Sequence, residues 1–318
     1  MANAGYQLER FGLVIVWLAV IALFGALRPE TFLTWSNFSS IFGSEAVLVI
    51  VTLGLIIPLT SGDFDLSIAQ TLTFASMLTA ILSARMGVPI GYTIPIALAA
   101  GALVGLINGA ITLYFRVHSL IVTLGVGTFL HGITLWMSDS QTISGVARVL
   151  MQYVIIQRIF GIPVSFYYAV LLAALVWYVL SYTAFGQQLL FTGRAREVGR
   201  LTGVAVGRVR MTAFVVSGMM GAFAGILYTG TTGSANPTSG TTLLLPAFAA
   251  AFLGATCIKP GRFNAWGSVI AVYFLVTGIN GLSVLGFRTF VHDLFYGGAL
   301  VVAVMISQLV SGRKERTL

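Results

Sequence analysis

The chain has 318 residues, of which 58% are hydrophobic and 8% are charged. A soluble domain carries roughly 25% charged residues and needs them to stay dispersed, so a water-soluble globule is excluded, and a disordered chain still more firmly. The single cysteine, Cys257, excludes a disulfide framework and any Cys-x-x-Cys metal or redox site within one chain.

Lipid is therefore the solvent for most of the length, and the 36 glycines suit close helix packing in a membrane. A spanning helix needs about 20 apolar residues. In chain order such stretches fall at 11–27, 39–60, 66–84, 93–114, 118–137, 166–183, 211–230, 243–257, 265–283 and 289–310. The segment 66–84 begins beside two aspartates, and 243–257 is short. The first stretch is longer than the roughly 7–15 apolar residues of a signal peptide, so an uncleaved helix is expected. The fold class is all-α integral membrane, with about ten transmembrane helices.

The net charge is +8, from 17 Lys and Arg against 9 Asp and Glu. With the N-terminus inside and the spans alternating, 12 of the 17 basic residues face the cytoplasm: Arg10, Arg116, Arg194, Arg196, Arg200, Arg208, Arg210, Lys259, Arg262, Arg313, Lys314 and Arg316. Arg28, Arg85, Arg148, Arg158 and Arg288 fall outside. Basic residues collect on the cytoplasmic face of membrane proteins. Both termini are thus expected in the cytoplasm, and the positive charge needs no nucleic acid to explain it. Residues 1–318 read as a single transmembrane domain, because the longest outer connection, 138–165, is too short to fold alone. Spans 2–5 and 7–10 start in opposite directions, which permits an inverted repeat.

No phosphate-binding loop occurs: Lys259 is followed by Pro260 and Lys314 by Glu315. His118, His131 and His292 are not spaced as a metal or haem site, and no metal site is expected. The most charged connection is the inner loop 184–210. Its core reads FGQQLLFTGRAREVGRLTGVAVGRVRM, Phe185–Met211. Gly193 is suited to a turn, residues 194–202 to a short helix, and Gly203 to a helix C-cap. Val198 and Leu201 share a face, ringed by Arg194, Arg196, Glu197 and Arg200. Two readings stand: a helix that docks into a groove of another protein, or a solvated cytoplasmic loop. Binding of acidic lipid headgroups by the arginines is a third.

This loop resembles the cytoplasmic loop of ABC importer permeases, in particular those of ribose-type carbohydrate importers. The family pattern N-E-A-A-x-x-x-G-(I/V) stands here as Arg196-Glu197-Val198-Gly199-Arg200-Leu201-Thr202-Gly203-Val204. Glu197 and Gly203 match, while Val198 and Gly199 replace the alanines. The family's S-G-G-(I/F)-D-L-S-V-G is similar to Ser61-Gly62-Asp63-Phe64-Asp65-Leu66-Ser67-Ile68-Ala69, with Asp63 in place of a glycine. Gly105-Leu106-Ile107-Asn108-Gly109, the run Arg116–Gly125, and Asn236-Pro237-Thr238-Ser239-Gly240 also resemble family segments. So do Gly254-Ala255-Thr256 with Gly261-Arg262, and Asn280-Gly281-Leu282 with Leu285-Gly286. The likeness covers about residues 40–310, in family order.

The resemblance implies a coupling loop that meets an ATPase, with Arg194, Arg196, Glu197, Arg200, Leu201 and Gly203 as its residues. It implies partners: ABC ATPase subunits, a periplasmic substrate-binding protein, a second permease subunit as homo- or heterodimer, and the lipid bilayer. It also implies an inner-membrane location in a bacterial cell. The chain itself is then not an enzyme and binds no cofactor, with ATP and Mg on the partner ATPase. The function implied is import of a sugar or polyol by alternating access.

Asp63 and Asp65 belong at an interface, or where the third span starts as a broken helix, because a carboxylate in the membrane centre costs several kcal/mol. Asp65 reads both as a helix N-cap and as a hinge, and Asn236 and Pro237 as a plain outer connection or a gate. Asn108, Asn280 and Ser283, with Glu45 near the outer end of the second span, are candidate pathway residues. Interhelical hydrogen bonding is the other use of such amides. Two rival functions remain: an ion-coupled secondary transporter, which needs buried acids, and an ABC permease for a non-sugar small molecule.

Overall fold

In lipid an apolar chain must satisfy its own peptide groups, which leaves the helix as the open-chain solution. The computed structural model describes residues 2–315, with side chains from 10 to 307, and helices dominate it. Arg316 and the side chains of Arg313 and Lys314 lie outside the described residues. Helices α1 (Ala2–Leu27), α2 (Pro29–Phe32), α3 (Trp35–Ser44) and α4 (Ala46–Thr60) open the chain. α5 (Ile68–Ala80) runs into a π-helical turn at Ile81–Arg85 and is followed by α6 (Ile90–Tyr114) and α7 (Ser119–Ser138). The next connection holds β1 (Ile143–Ser144), α8 (Arg148–Met151), a second π-helical turn, and a hairpin of β2 (Arg158–Ile159) and β3 (Ile162–Pro163). Then come α9 (Val164–Tyr182), α10 (Ala184–Arg194), α11 (Arg196–Leu201), α12 (Val206–Thr232) and β4 (Ser234–Ala235). α13 (Thr241–Gly254), α14 (Ala265–Val284) and α15 (Phe290–Glu315) complete the fold.

Among the described residues seven helices are long and apolar enough to cross a membrane, and α3 with α4 makes an eighth as a bent pair. The segment expected at 39–60 is therefore not one straight span. It bends by 41° at Glu45, whose backbone (φ −88, ψ 0) leaves the helical region. Gly43 and Ser44, both poorer helix formers than the apolar run that follows, precede the break. The third segment does not start as a broken helix. Its irregularity is the π-helical turn at the far end of α5. The segment expected at 243–257 is α13, with 14 residues.

Helix α4 is buried from Ala46 to Leu59 on all sides, as a uniformly apolar helix must be to sit inside a bundle. α12 packs beside it, against α5 and α6 as well. Lipid tails are as apolar as leucine, so this packing depends on close approach and hydrogen bonds rather than on escape from water. The approach is built from small residues: a Cβ at Gly218 would strike the Gly101 carbonyl, and one at Gly225 the Leu72 carbonyl. Leu18, Phe129, Trp136 and Leu171 on the outer helices point away from the bundle.

The two ends of the bundle differ. At the hairpin end β1 pairs antiparallel with β4, Ile143 opposite Ala235, and the Ser39 hydroxyl donates to the Gly161 carbonyl at 2.6 Å. The loop-helix end holds residues 61–67, 115–118, 194–204 and 255–264. There the Asn264 amide closes the last turn by donating to the Gly254, Cys257 and Arg262 carbonyls at 3.0–3.1 Å. The Ile258 amide donates to the Arg10 carbonyl at 3.0 Å and so anchors α1.

Candidate functional site

The turn from α4 into α5 begins with the geometry of a helix end. Gly62 takes a left-handed φ of +76°, its N–H donates to the Leu59 carbonyl at 3.0 Å, and the Asp63 N–H donates to the Pro58 carbonyl at 2.9 Å. This is a Schellman cap, and it needs a residue free to adopt positive φ. It delivers Asp63 to a fixed place just past the helix. The carboxylate there is 1% exposed, yet no acceptor site on it is idle. Arg210 of α12 grips it from two sides: Nε donates to Oδ2 and Nη2 to Oδ1, both at 2.7 Å. Arg196, the first residue of α11, adds Nη2 to Oδ1 at 3.2 Å. The same Nη2 reaches the Gly62 carbonyl at 3.0 Å and the Ser61 carbonyl at 3.2 Å, and the Ser61 hydroxyl donates to Oδ2. Charge-assisted, bidentate bonds of this kind are the strong ones.

Two residues on, Asp65 is fully buried and, among the described residues, has no cationic partner. Its Oδ1 accepts from the Ser67 N–H at 3.0 Å and the Ser67 hydroxyl at 2.6 Å, and its Oδ2 from the Ser217 hydroxyl of α12 at 2.7 Å. Ser67, just before the first α-helical residue Ile68, has helical φ and ψ and caps nothing with its own side chain, so the side-chain oxygen that caps the start of α5 is that of Asp65. Asn108 of α6 donates to the Ser67 hydroxyl at 2.7 Å. The backbone on either side of Asp65 is satisfied by α7, since Phe64 N–H donates to the Ser119 hydroxyl and Leu66 N–H to the Thr123 hydroxyl, each at 3.0 Å. One seven-residue segment, 61–67, thus connects α4 to α5 and bonds to α6, α7, α12 and the loop helix.

The loop helix differs in detail from the sequence expectation. Gly193 makes no turn: it lies within α10, and the break falls at Ala195 (φ −152, ψ 80). The glycine is required for another reason. A Cβ there would strike the Thr60 carbonyl, so only Gly193 lets α10 lie against the end of α4. α11 ends in a second Schellman cap: Gly203 has φ +85°, its N–H donates to the Arg200 carbonyl, and the Val204 N–H to the Gly199 carbonyl. Arg194, Glu197, Arg200, Val198 and Leu201 are exposed, Leu201 by 83%. The exposed apolar pair sits on a helix whose position is set from behind by Arg196.

The four candidate pathway residues are not brought together. Asn108 is buried near the loop-helix end. Asn280 is half-buried at the hairpin end, where its Oδ1 accepts from the Asn37 amide at 3.1 Å. Ser283 is exposed and 3.0 Å from the His292 ring. Glu45 sits at the bend and accepts from the Ser44 hydroxyl at 3.3 Å. Asn108 and Asn280 therefore make interhelical hydrogen bonds. Asn236 is also at the hairpin end: its amide donates to the Thr142 hydroxyl at 3.2 Å, and its Oδ1 accepts from Thr238, while Pro237 is buried.

Arg210, Ser217, Ser119 and Thr123 were missed as site residues. The one sequence signal for Arg210 was Asp63 itself, a carboxylate at a membrane boundary in need of a cation. Hydroxyls on apolar helices carry no such signal, because most donate to their own i−4 carbonyl, as Thr52 and Thr79 do.

The family model for branched-chain amino acid transport system permease components matches residues 37–304. The chain is 28% identical to the D-allose transport system permease protein of Escherichia coli (strain K12), covering 95% of this chain and 93% of that protein. It is 27% identical to the ribose import permease protein of Haemophilus influenzae, covering 98% of each. It is 28% identical to the galactose/methyl galactoside import permease protein of Salmonella typhimurium, covering 97% of this chain and 96% of that protein. No solved structure matches the chain. A bundle of apolar helices and a family match over most of its length make this chain an integral membrane protein that belongs to the family of branched-chain amino acid transport system permease components.

Proposed function

We propose that the chain is the membrane subunit of an ATP-driven ABC importer that carries a sugar or polyol across the bacterial inner membrane. The observation that carries this reading is likeness over nearly the whole length to permeases of three sugar importers. The family description names branched-chain amino acids. A full-length match to sugar permeases favours the sugar reading over the amino-acid one. Separate ATPase subunits bind ATP and Mg, and the chain binds no cofactor. Ten segments cross the bilayer with both termini cytoplasmic, which puts the loop-helix end inside and the hairpin end outside.

In this reading α11 is the coupling helix. Exposed Val198 and Leu201, flanked by Glu197 and Arg200, suit a groove on the ATPase. Closure of the ATPases pushes α11, and the spans rock between outward- and inward-open states. A binding protein delivers substrate at the hairpin end, where Asn236 and Pro237 lie, and a second permease subunit completes the pathway. Asn280, Ser283 and Glu45 line its outer half.

The test is uptake by the importer assembled with its ATPase and binding protein, offered D-ribose, D-allose, D-galactose and the branched-chain amino acids in turn. ATP-dependent, vanadate-sensitive uptake of a sugar is expected. Uptake of leucine or valine alone would transfer the reading to amino acids. Uptake driven by a proton gradient without ATP would sink it in favour of an ion-coupled transporter.

A further inference from the structure

We infer that Asp63 is a positioning residue for coupling: a clasp that ties the loop helix α11 to the turn between α4 and α5. The inference rests on the reading of α11 as the helix that a partner moves. Two arginines close on one carboxylate, and they flank the segment from α11 to the start of α12. Arg196 opens α11, and Arg210 lies in the second turn of α12. The two jaws are unequal. Arg210 is held by two 2.7 Å bonds and its side chain is 14% exposed. Arg196 is held to the carboxylate by one 3.2 Å bond and its side chain is 42% exposed. Arg210 is therefore the fixed jaw and Arg196 the jaw that yields.

Helical backbone is interrupted on either side of α11, so α11 is continuous with neither α10 nor α12. Ala195 leaves the helical region before it, and Gly203 turns left-handed after it. Among the described residues, Arg196 is the one charged side chain of α11 that bonds to the spans. Any displacement of α11 must either break that bond or drag the 61–63 turn with it. From Asp63 the route is short. Asp65 bonds Ser217 on α12, and Ser67 bonds Asn108 on α6, so a moved turn pulls on two spans at once.

Arg196→Gln removes the yielding jaw at an exposed position and leaves the Arg210–Asp63 pair in place, so the fold survives. In lipid nanodiscs, hydrogen exchange of the full chain is followed at amides 196–204. Loss of a charge-assisted hydrogen bond that holds α11 is expected to speed exchange there by about tenfold, with α6 unchanged. In proteoliposomes of the assembled importer, with D-ribose, D-allose and D-galactose as probes, sugar taken up per ATP hydrolysed is expected to fall by about tenfold while ATP hydrolysis persists. Arg196→Lys, which keeps the charge, restores most of both. Unchanged exchange in Arg196→Gln overturns the clasp, as does unchanged uptake per ATP. If wild-type proteoliposomes take up no probe sugar with ATP, the importer reading fails, and the exchange result still decides whether α11 is clasped.

Discussion

The two ends of this bundle hold their polar groups in opposite ways. At the loop-helix end Asp63 is buried against two arginines, and Asp65 is buried against three neutral donors. At the hairpin end the contacts are neutral and partly open: Asn37 to Asn280, Asn236 to Thr142, and Ser283 beside His292. A buried charge is tolerated only when its partners are complete, and removing one partner leaves the other stranded. A half-exposed amide loses little when its partner goes, because water replaces it. The first arrangement makes a rigid joint, and the second leaves side chains free to meet something else.

Breaking the joint should therefore cost the most. Asp63→Ala strands the largely buried Arg210 and is expected to lower stability by about 3–5 kcal/mol, read as a fall in the melting temperature of the detergent-solubilised chain. A Tm within a degree or two of wild type would mean that water already reaches the pair. Ser217→Ala leaves one oxygen of Asp65 without its donor, and a loss of about 1–3 kcal/mol is expected in the same melt. Gly193→Ala tests the packing behind α11. Its methyl meets the Thr60 carbonyl, so α10 must shift, at about 1–3 kcal/mol, and limited proteolysis between 184 and 204 should quicken. If that cleavage stays at the wild-type rate, the approach of α10 to α4 is not tight.

The smallest effects belong to the hairpin end. Asn280→Ala removes one half-buried hydrogen bond and should change stability by about 0.5–1.5 kcal/mol. In the proposed importer its uptake should fall by more than its melting temperature suggests. A parallel loss in both would make the Asn37–Asn280 pair structural only. Leu201→Asp touches nothing inside the chain, since Leu201 is 83% exposed, so the melt should stay within about 0.5 kcal/mol of wild type. Co-purification of the ATPase is the readout that should change, and an unaltered yield would remove α11 from the proposed interface.

The sequence alone determined the membrane class, because 58% hydrophobic against 8% charged residues leaves no other solvent for the chain. It located most spans to within a few residues, because long apolar runs in lipid have one backbone solution. It found a short helix within 194–202, observed as Arg196–Leu201, and its cap at Gly203, because a glycine after a charged helical run is a local signal. Tertiary structure alone decided the bend at Glu45, the helical state of Gly193, and above all the partners of the two aspartates. Asp63 and Arg210 lie 147 residues apart, and Asp65 and Ser217 lie 152 apart. A lone carboxylate announces that it needs a partner, but only packed helices decide which cation or hydroxyl arrives. The reason is that pairing depends on which faces touch, and α12 can touch α4, α5 and α6 together only because glycines such as Gly218 and Gly225 let the backbones close.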